Sequence, residues 1–280
     1  MSARNKYTSL VMAVNLLVCI TATAHNQKAP PNPRAILSES GIRYSRASSY
    51  QDSGVVKVYP ADPMHPGELS SYPFRKVLFQ DTTLVTFRTY FLRHHLKFRF
   101  EWESPYVPSS RTAVVWSDGG KIYQWVPDRI SDKDRFILDN KAALKWAVDE
   151  ALGSSGGAVF FIPSLLFKDV GYFSFADMMS VMTDLSLGNE EKVDGDTCYV
   201  IKGRMSGTPW MIWVSKESYL VRKTRTIYSG GPFHKNSAGR DKNTFIAEEI
   251  HSNIKLNAGI LDSVFKYKPQ LQANDLDLSK

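Results

Sequence analysis

The chain has 280 residues, with 35 Lys and Arg against 28 Asp and Glu, so its formal net charge is +7. A chain of this length can bury enough surface to fold as one domain. Proteins that bind nucleic acids cluster their basic residues along one element with aromatic residues between them, and no such cluster is present. We therefore expect no nucleic-acid partner.

The first 24 residues have the pattern of a secretory signal peptide. Arg4 and Lys6 precede an apolar run, Ser9 to Ile20, and small residues at positions 22–24 end it. About twelve apolar residues are too few to cross a bilayer, which needs about 20. We predict cleavage after Ala24 and export to the periplasm.

The two cysteines of the chain are Cys19 and Cys198. Cys19 lies inside the apolar part of the signal, which favours a cleaved signal over a lipid anchor. The mature chain then keeps only Cys198, so core packing without an internal disulfide must hold the fold. The alternating strand around Cys198 predicts a buried, unreactive thiol.

The N-terminal part of the mature chain begins with an extended, proline-containing lead at 25–34. Apolar residues at helical spacing predict a first helix from Ala35 to Tyr50, ended by Gln51 to Gly54. Strands follow. They are predicted at Val55–Tyr59, Arg75–Phe79, Leu84–Leu92, Leu96–Glu103, Thr112–Ser117 and Lys121–Val126.

The strand from Leu96 to Glu103 alternates strictly between large apolar and charged residues. Successive side chains of a strand point to opposite faces, so one face must be covered while the other can lie in water. The residues that need a cover are Leu96, Phe98, Phe100 and Trp102. An ordinary core and a ligand cavity are both consistent with this pattern.

The middle of the chain, from residue 128 to 187, has a helical character. We predict a helix from Asp139 to Leu152, ended by the glycine-rich stretch 153–157, and two short helices in Ala158–Phe167 and Phe175–Met182. Strands then resume. They are predicted at Glu191–Val193, Thr197–Gly203, Trp210–Ser215, Tyr219–Ile227, Asn243–Ile254 and Val264–Tyr267.

This order of elements predicts an α+β fold with one curved antiparallel sheet of about 11 strands and about four helices on one side. We expect a single domain over residues 35–269, followed by a C-terminal tail at 270–280.

Four segments in order, Phe91–Trp102, Val114–Tyr123, Trp210–Arg222 and Leu261–Pro269, resemble the LolA/LolB-like lipoprotein-carrier superfamily. The helix junction Leu152–Ala158 and the apolar stretch after it resemble the family's branch of outer-membrane lipoprotein-sorting proteins. The strand Phe91–Trp102 and the hairpin Val114–Tyr123 resemble the family's Arg-Pro-x-x-Phe-x-Trp strand and its Ser-Asp-Gly-Lys turn. Trp210–Arg222 and Leu261–Pro269 resemble a later strand pair and the closing strand. The resemblance covers most of the mature chain.

The resemblance implies an unclosed β-barrel whose concave apolar face is lidded by helices and holds acyl chains. It implies that Arg93 acts as a latch between strand and lid, although His94 stands where the family has proline. The expected cavity residues are Leu96, Phe98, Phe100 and Trp102 from the sheet, with Phe160, Phe161, Leu165 and Leu166 from the lid.

Chemistry-bearing residues form no convincing catalytic or metal-binding set in the sequence. His94 and His95 are adjacent on an expected strand and would face opposite ways. The pair Glu248-Glu249 should likewise face opposite ways and be solvated, and the stretch 153–157 is better explained as a helix junction than as a phosphate cradle. We expect no enzyme activity, no cofactor and no metal.

The resulting hypothesis is a periplasmic carrier of lipid or acylated lipoprotein cargo, a monomer that meets donor and acceptor proteins at membranes. The alternative is an envelope sensor or interaction module on the same fold that does not transport. The short segment after residue 269 favours the carrier, because sensors of this fold carry a further domain.

Overall fold

The computed structural model describes residues 31–60, 83–103, 112–127, 134–139, 155, 161–167, 181–229 and 244–267. The chain divides into two units, residues 1–32 and 33–280, and all of the elements below belong to the second. The predicted signal peptide, the strand Arg75–Phe79 and Phe160 lie outside the described residues.

Two α-helices are present in the described part of the chain, α1 (Pro33–Arg46) and α2 (Phe161–Leu166), with short 3₁₀ turns at His94–Leu96 and Asp262–Phe265. The strands are β1 (Ser49–Pro60), β2 (Thr83–Leu92), β3 (Lys97–Glu103), β4 (Ala113–Ser117), β5 (Ile122–Pro127), β6 (Asp134–Asp139), β7 (Thr183–Leu187), β8 (Glu191–Val193), β9 (Asp196–Met205), β10 (Thr208–Ser215), β11 (Val221–Ser229) and β12 (Thr244–Leu256).

All of these strands form one antiparallel sheet. Its order is β6-β5-β4-β3-β2-β1-β12-β11-β10-β9-β7, and β8 pairs with β9 beside this path. The edge strands β6 and β7 do not pair with each other, so the sheet is unclosed over the described residues. The predicted α+β class and the unclosed sheet with 11 strands along its path are confirmed.

Two α-helices are found in the described residues, against about four predicted. The predicted helices over residues 139–152 and 175–182 lie almost wholly outside the described residues. Asp139, where a helix was expected to start, is the last residue of β6 and pairs with Ile122 of β5. Residues 183–187, expected in the helical region, form the edge strand β7 on β9. In both cases pairing with a neighbouring strand supplies hydrogen bonds that the local sequence pattern does not indicate.

Two segment boundaries also differ from the prediction. The first helix ends at Arg46 instead of Tyr50, because residues 49 and 50 pair with β2 and β12 as the start of β1. Residues 264–267 form no strand; the 3₁₀ turn there buries Phe265 instead.

The hydrophobic core lies on one face of the sheet, which we call the inner face and define by Val56, Phe87, Phe98, Val115 and Ile212. These residues, from strands far apart along the chain, belong to one cluster with buried residues of α1 and α2. Helix α1 also contacts α2, β7 and β10. The helices therefore cover part of the inner face.

The inner face leaves no room for a side chain at Gly54 in β1. A Cβ there would lie 2.2 Å from the carbonyl oxygen of Ile250 and 2.3 Å from Cζ of Phe87. We expect Gly54→Ala to lower the free energy of unfolding by about 1–3 kcal/mol in urea titrations, since a backbone carbonyl cannot move aside freely. Gly41→Ala in α1, whose added Cβ meets nothing within 4 Å, should instead raise it by about 0.5–1 kcal/mol. Equal stability of Gly54→Ala and the parent protein would contradict this packing.

Candidate ligand-binding site

The aromatic stripe predicted on β3 is buried in the inner face. Phe98, Phe100 and Trp102 are almost fully inaccessible to solvent, and the rings of Phe98 and Phe100 stack with centroids 5.2 Å apart. Leu96 does not belong to the strand: it closes the preceding 3₁₀ turn with φ +48°, although its side chain still packs against the core. The alternation therefore identified the side chains that pack in the core, although its first member, Leu96, lies outside the strand.

Among the described residues, a ring from the segment after α2 packs on this stripe. Phe167 meets Phe91, Phe98 and Phe100 edge to face, with ring centroids 5.3, 5.3 and 5.9 Å apart respectively. Phe167 is fully buried, and its backbone N–H donates to the carbonyl of Pro163 at the end of the helix. We call Phe91, Phe98, Phe100 and Phe167 the aromatic clamp.

The helix residues expected to form a lid lie on the same core. Phe161, Leu165 and Leu166 are buried, and Phe161 stacks on Trp210 of β10 with centroids 6.1 Å apart. Helix α2 has only six residues, too few to be stable without such packing. The expected sheet and lid residues are thus brought together, while their contact with a ligand stays a prediction.

Arg93 connects the end of β2 to the C-terminal turn of α1. Its Nε donates to the carbonyl of Ala47 at 2.9 Å and its Nη2 to the carbonyl of Tyr44 at 3.0 Å. Its guanidinium also lies 5.2 Å from the ring centroid of Phe91. A cation at a helix C-terminus satisfies free carbonyls and complements the helix dipole.

We expect Arg93→Ala to lower the free energy of unfolding by about 1.5–3 kcal/mol, because two charge-assisted hydrogen bonds are lost. Arg93→Lys should recover only part of this loss, since one ammonium cannot reproduce the planar fork. Arg43→Ala, which removes an exposed i,i+4 pair with Glu39 on the same helix, should cost less than about 0.5 kcal/mol. Denaturant unfolding measures the stability of all three variants. If Arg93→Ala lost no more stability than Arg43→Ala, Arg93 would not connect β2 to α1 as described.

A buried acid–base cluster occupies the inner face beside the clamp. Nδ1 of His251 lies 2.7 Å from Oδ2 of Asp52, which also accepts a hydrogen bond from the hydroxyl of Tyr50 at 2.7 Å. On the other side of the imidazole, Nε2 lies 3.1 Å from Oε1 of Glu249. Phe87 covers the ring edge to face at 5.3 Å.

The pKa values of this cluster follow from its burial and its charges. Burial alone lowers the pKa of His251, but the carboxylates of Glu249 and Asp52 outweigh it and raise that pKa to about 9. Burial raises the pKa of Glu249, and attraction to His251 offsets this only in part. At neutral pH the imidazole is therefore charged and paired.

The expectation that Glu248 and Glu249 are solvated is wrong, although they do face opposite ways. Both are buried: Glu249 meets His251 on the inner face, while Glu248 accepts from Lys223 at 2.8 Å and from Nε of Arg225 at 2.6 Å on the outer face. Despite its burial, these hydrogen bonds hold the pKa of Glu248 below its usual value. The register of β12 with β11 supplies the partners of Glu248, which the sequence around the pair does not show, whereas the partner of Glu249 lies two residues further along β12 itself.

Glu101 and Cys198 are two further buried residues of the outer face. Glu101 lies between Arg99 and Arg88, and burial raises its pKa. Cys198 is buried as predicted, and burial raises the pKa of its thiol to about 11. A thiol with such a pKa is unreactive at neutral pH.

Sequence reasoning missed Phe167 and the acid–base cluster. The apolar run ending at Phe167 was a usable signal, because its last ring extends the lid by one residue. Asp52 and His251 are 199 positions apart, and only the pairing of β1 with β12 brings them together. No local signal in the sequence could have found that contact.

Within the described residues, no group of three or more His, Cys, Asp or Glu side chains is arranged to hold a metal ion. None of the described helices is long and apolar enough to cross a membrane.

Comparison with known proteins finds similarity only at the level of solved structures; no family profile and no curated protein sequence matches the chain. The complex of MucA and MucB from Pseudomonas aeruginosa matches with a TM-score of 0.41 and 9% identity, over 85% of this chain and 62% of that one. The Mycobacterium tuberculosis lipoprotein LppX matches with a TM-score of 0.36 and 13% identity, over 81% and 97% respectively.

A LolA superfamily protein from Nitrosomonas europaea matches with a TM-score of 0.29 and 12% identity, over 84% of this chain and 98% of that one. The family named from the sequence motifs thus also appears among the similar structures. With TM-scores below 0.5, these likenesses carry no part of the functional argument, which rests on the residues of this chain.

Proposed function

We propose that this protein binds acyl chains between the inner face of its sheet and helix α2, as an exported carrier of lipid or acylated lipoprotein. The observation that carries the proposal is the aromatic clamp. Three rings of a rigid sheet hold one ring from the end of a six-residue helix. An apolar chain can replace that ring without leaving polar groups unpaired.

The free energies of burying apolar groups support replacement of the Phe167 ring by an acyl chain. Displacing one buried Phe side chain from the core costs about 3–5 kcal/mol. An acyl chain that buries about twelve methylenes gains roughly 10 kcal/mol. The difference is comparable to the cost of association, about 4–15 kcal/mol. A ligand with two chains is therefore favoured over a ligand with one.

In this proposal, Arg93 is the latch. It holds the C-terminal turn of α1, whose other residues contact α2, so loosening it would free the helical cover. The buried His251 cluster anchors β1 to β12 beneath the same helices and takes no part in chemistry.

The experiment is native mass spectrometry of the full chain, expressed with its own leader in a bacterial periplasm, followed by identification of released lipid. We expect a substoichiometric or full complement of a two-chain lipid. Protein that always arrives without lipid, and that binds none from phospholipid vesicles, would overturn the proposal. A stable protein partner with no lipid would favour the sensor alternative instead.

A matched pair of variants on β4 makes the test specific to one face. Val115 and Val114 are both fully buried, but Val115 lies on the inner face and Val114 on the outer one. Val115→Thr should weaken lipid binding by about three- to tenfold because it places a hydroxyl against the acyl chain. Val114→Thr should leave the affinity unchanged, and equal effects of the two would contradict an inner-face site.

A further inference from the structure

Two polar side chains on the inner face have no hydrogen-bond partner. Gln124 is 2% exposed and Trp102 is 1% exposed. Neither the amide nitrogen and oxygen of Gln124 nor Nε1 of Trp102 makes a hydrogen bond. Buried polar groups almost always have partners, so three orphaned atoms in one region require an explanation.

Strand register places both side chains on the same face around β4. Trp102 of β3 is opposite Ala113, and Gln124 of β5 is opposite Val115. Residues directly opposite each other in an antiparallel pair lie on the same side of the sheet. Two strand spacings and a two-residue offset put the Cα atoms of Trp102 and Gln124 on the order of 12 Å apart. Their side chains can therefore reach one small polar group from two sides.

Among the described residues, the inner-face side chains that β3, β4 and β5 contribute around the orphaned atoms are uncharged. The inner-face residues of the three strands are Phe98, Phe100 and Trp102 of β3, Ala113, Val115 and Ser117 of β4, and Ile122 and Gln124 of β5. None of these residues carries a charge. An ionised carboxylate or phosphate placed here would lack a counter-charge, and desolvation of an unpaired charge is prohibitive.

The donors and acceptors define the missing group. Indole Nε1 only donates, and a glutamine amide donates and accepts. A neutral carbonyl oxygen can accept from Nε1 of Trp102 or from Nε2 of Gln124, whereas a pure hydrocarbon satisfies neither of these two donors. Burying these polar groups without a partner costs stability, and a bound ligand that supplies acceptors would remove part of that cost.

We propose that Trp102 and Gln124 bind the carbonyl groups of an ester-linked lipid, with its acyl chains running along the aromatic clamp. This proposal rests on the proposed function and narrows its ligand to acyl esters. Glycerolipids carry two ester carbonyls a few ångströms apart, so Trp102 and Gln124 can each bind one of them. Free fatty acid anions and simple hydrocarbons carry no ester carbonyls.

The test compares two phosphatidylcholines that have identical chains and differ only in ester or ether linkage. Affinities of the full-length protein for both are measured by displacement of a fluorescent diester phosphatidylcholine. We expect the diester to bind about tenfold more tightly, equivalent to 1.4 kcal/mol. In the double variant Trp102→Phe/Gln124→Leu, the ratio of the diester affinity to the diether affinity should fall to about one. The affinity of this variant for the diether lipid should equal or exceed that of the parent protein. Trp116→Phe, on the outer face of β4, should keep the ratio of the parent protein.

The outcomes separate this inference from the proposed function. Binding of neither lipid overturns the carrier proposal itself. Equal binding of both lipids, or selectivity that survives in the double variant, overturns only the ester site. Unfolding of the ligand-free protein gives a second readout: Gln124→Leu should be at least as stable as the parent. A less stable Gln124→Leu would mean that the amide has structural partners, which would contradict the proposal.

Discussion

Replacing Phe167 with alanine is expected to lower the free energy of unfolding of the ligand-free protein by about 3–5 kcal/mol. Its ring makes edge-to-face contacts with three other buried rings, and removing it leaves a cavity bounded by the rigid strands β2 and β3. Because the strand side chains cannot collapse into that space, the loss in free energy of unfolding should lie at the upper end of this range. Denaturant titration measures the change.

The same variant should bind acyl lipid more tightly, because the ligand no longer has to displace a ring. Phe265→Ala is the matched control: Phe265 is equally buried in a separate 3₁₀ turn, so it should lose comparable stability without any gain in affinity. A Phe167→Ala protein that loses stability and also loses affinity would mean that Phe167 belongs to the binding surface instead of occupying the ligand's place.

Replacing His251 with leucine is expected to lower the free energy of unfolding at neutral pH by about 3–5 kcal/mol. The imidazole is the cation that compensates the buried carboxylates of Asp52 and Glu249. Without it, the two carboxylates remain close together in the inner face, and at least one must take up a proton. Asp52→Asn with Glu249→Gln in the His251→Leu background should recover part of the loss.

The stability of the protein should also fall as pH rises through this cluster. The pKa of His251 is raised from 6.5 to about 9, so its contribution is complete below about pH 6.5 and is lost as the pH approaches 9. That shift corresponds to about 3 kcal/mol. The raised pKa of Glu249 acts in the same direction, because its buried form also prefers the proton.

Unfolding titrations at pH 6, 7.5 and 9 test this dependence. The parent protein should become steadily less stable over that range, and His251→Leu should show a much smaller change. His94→Gln is the control, since His94 is exposed in a surface turn. A parent protein whose stability rises between pH 6 and 9 would contradict a charged, paired His251.

The sequence was most informative where one strand carries its own pattern. The alternation at Phe98, Phe100 and Trp102 specified the buried face directly, because the side-chain period of a strand is two. Most strand centres along the chain were found in the same way. The strands β6 and β7 were missed because edge strands of five or six residues depend on a neighbour's hydrogen bonds more than on their own pattern.

The candidate site was predictable only in part, for a related reason. Arg93 and the apolar lid residues stand in recognisable local segments, so they could be named from the sequence. The pairing of Asp52 with His251, the burial of Glu249 and the orphaned amide of Gln124 arise from strand register. Register is a property of the whole sheet, and no window of sequence contains it.

The central claim, that acyl chains bind on the inner face, is tested most directly by quenching of tryptophan fluorescence with brominated phospholipid. Trp102 and Trp210 pack in the inner-face cluster, whereas Trp116 and Trp213 pack in the clusters on the outer face. We predict that brominated chains quench the parent protein and that Trp102→Phe and Trp210→Phe remove much of this effect, while Trp116→Phe and Trp213→Phe do not. Quenching that disappears with the outer-face tryptophans and persists without the inner-face ones would contradict the account.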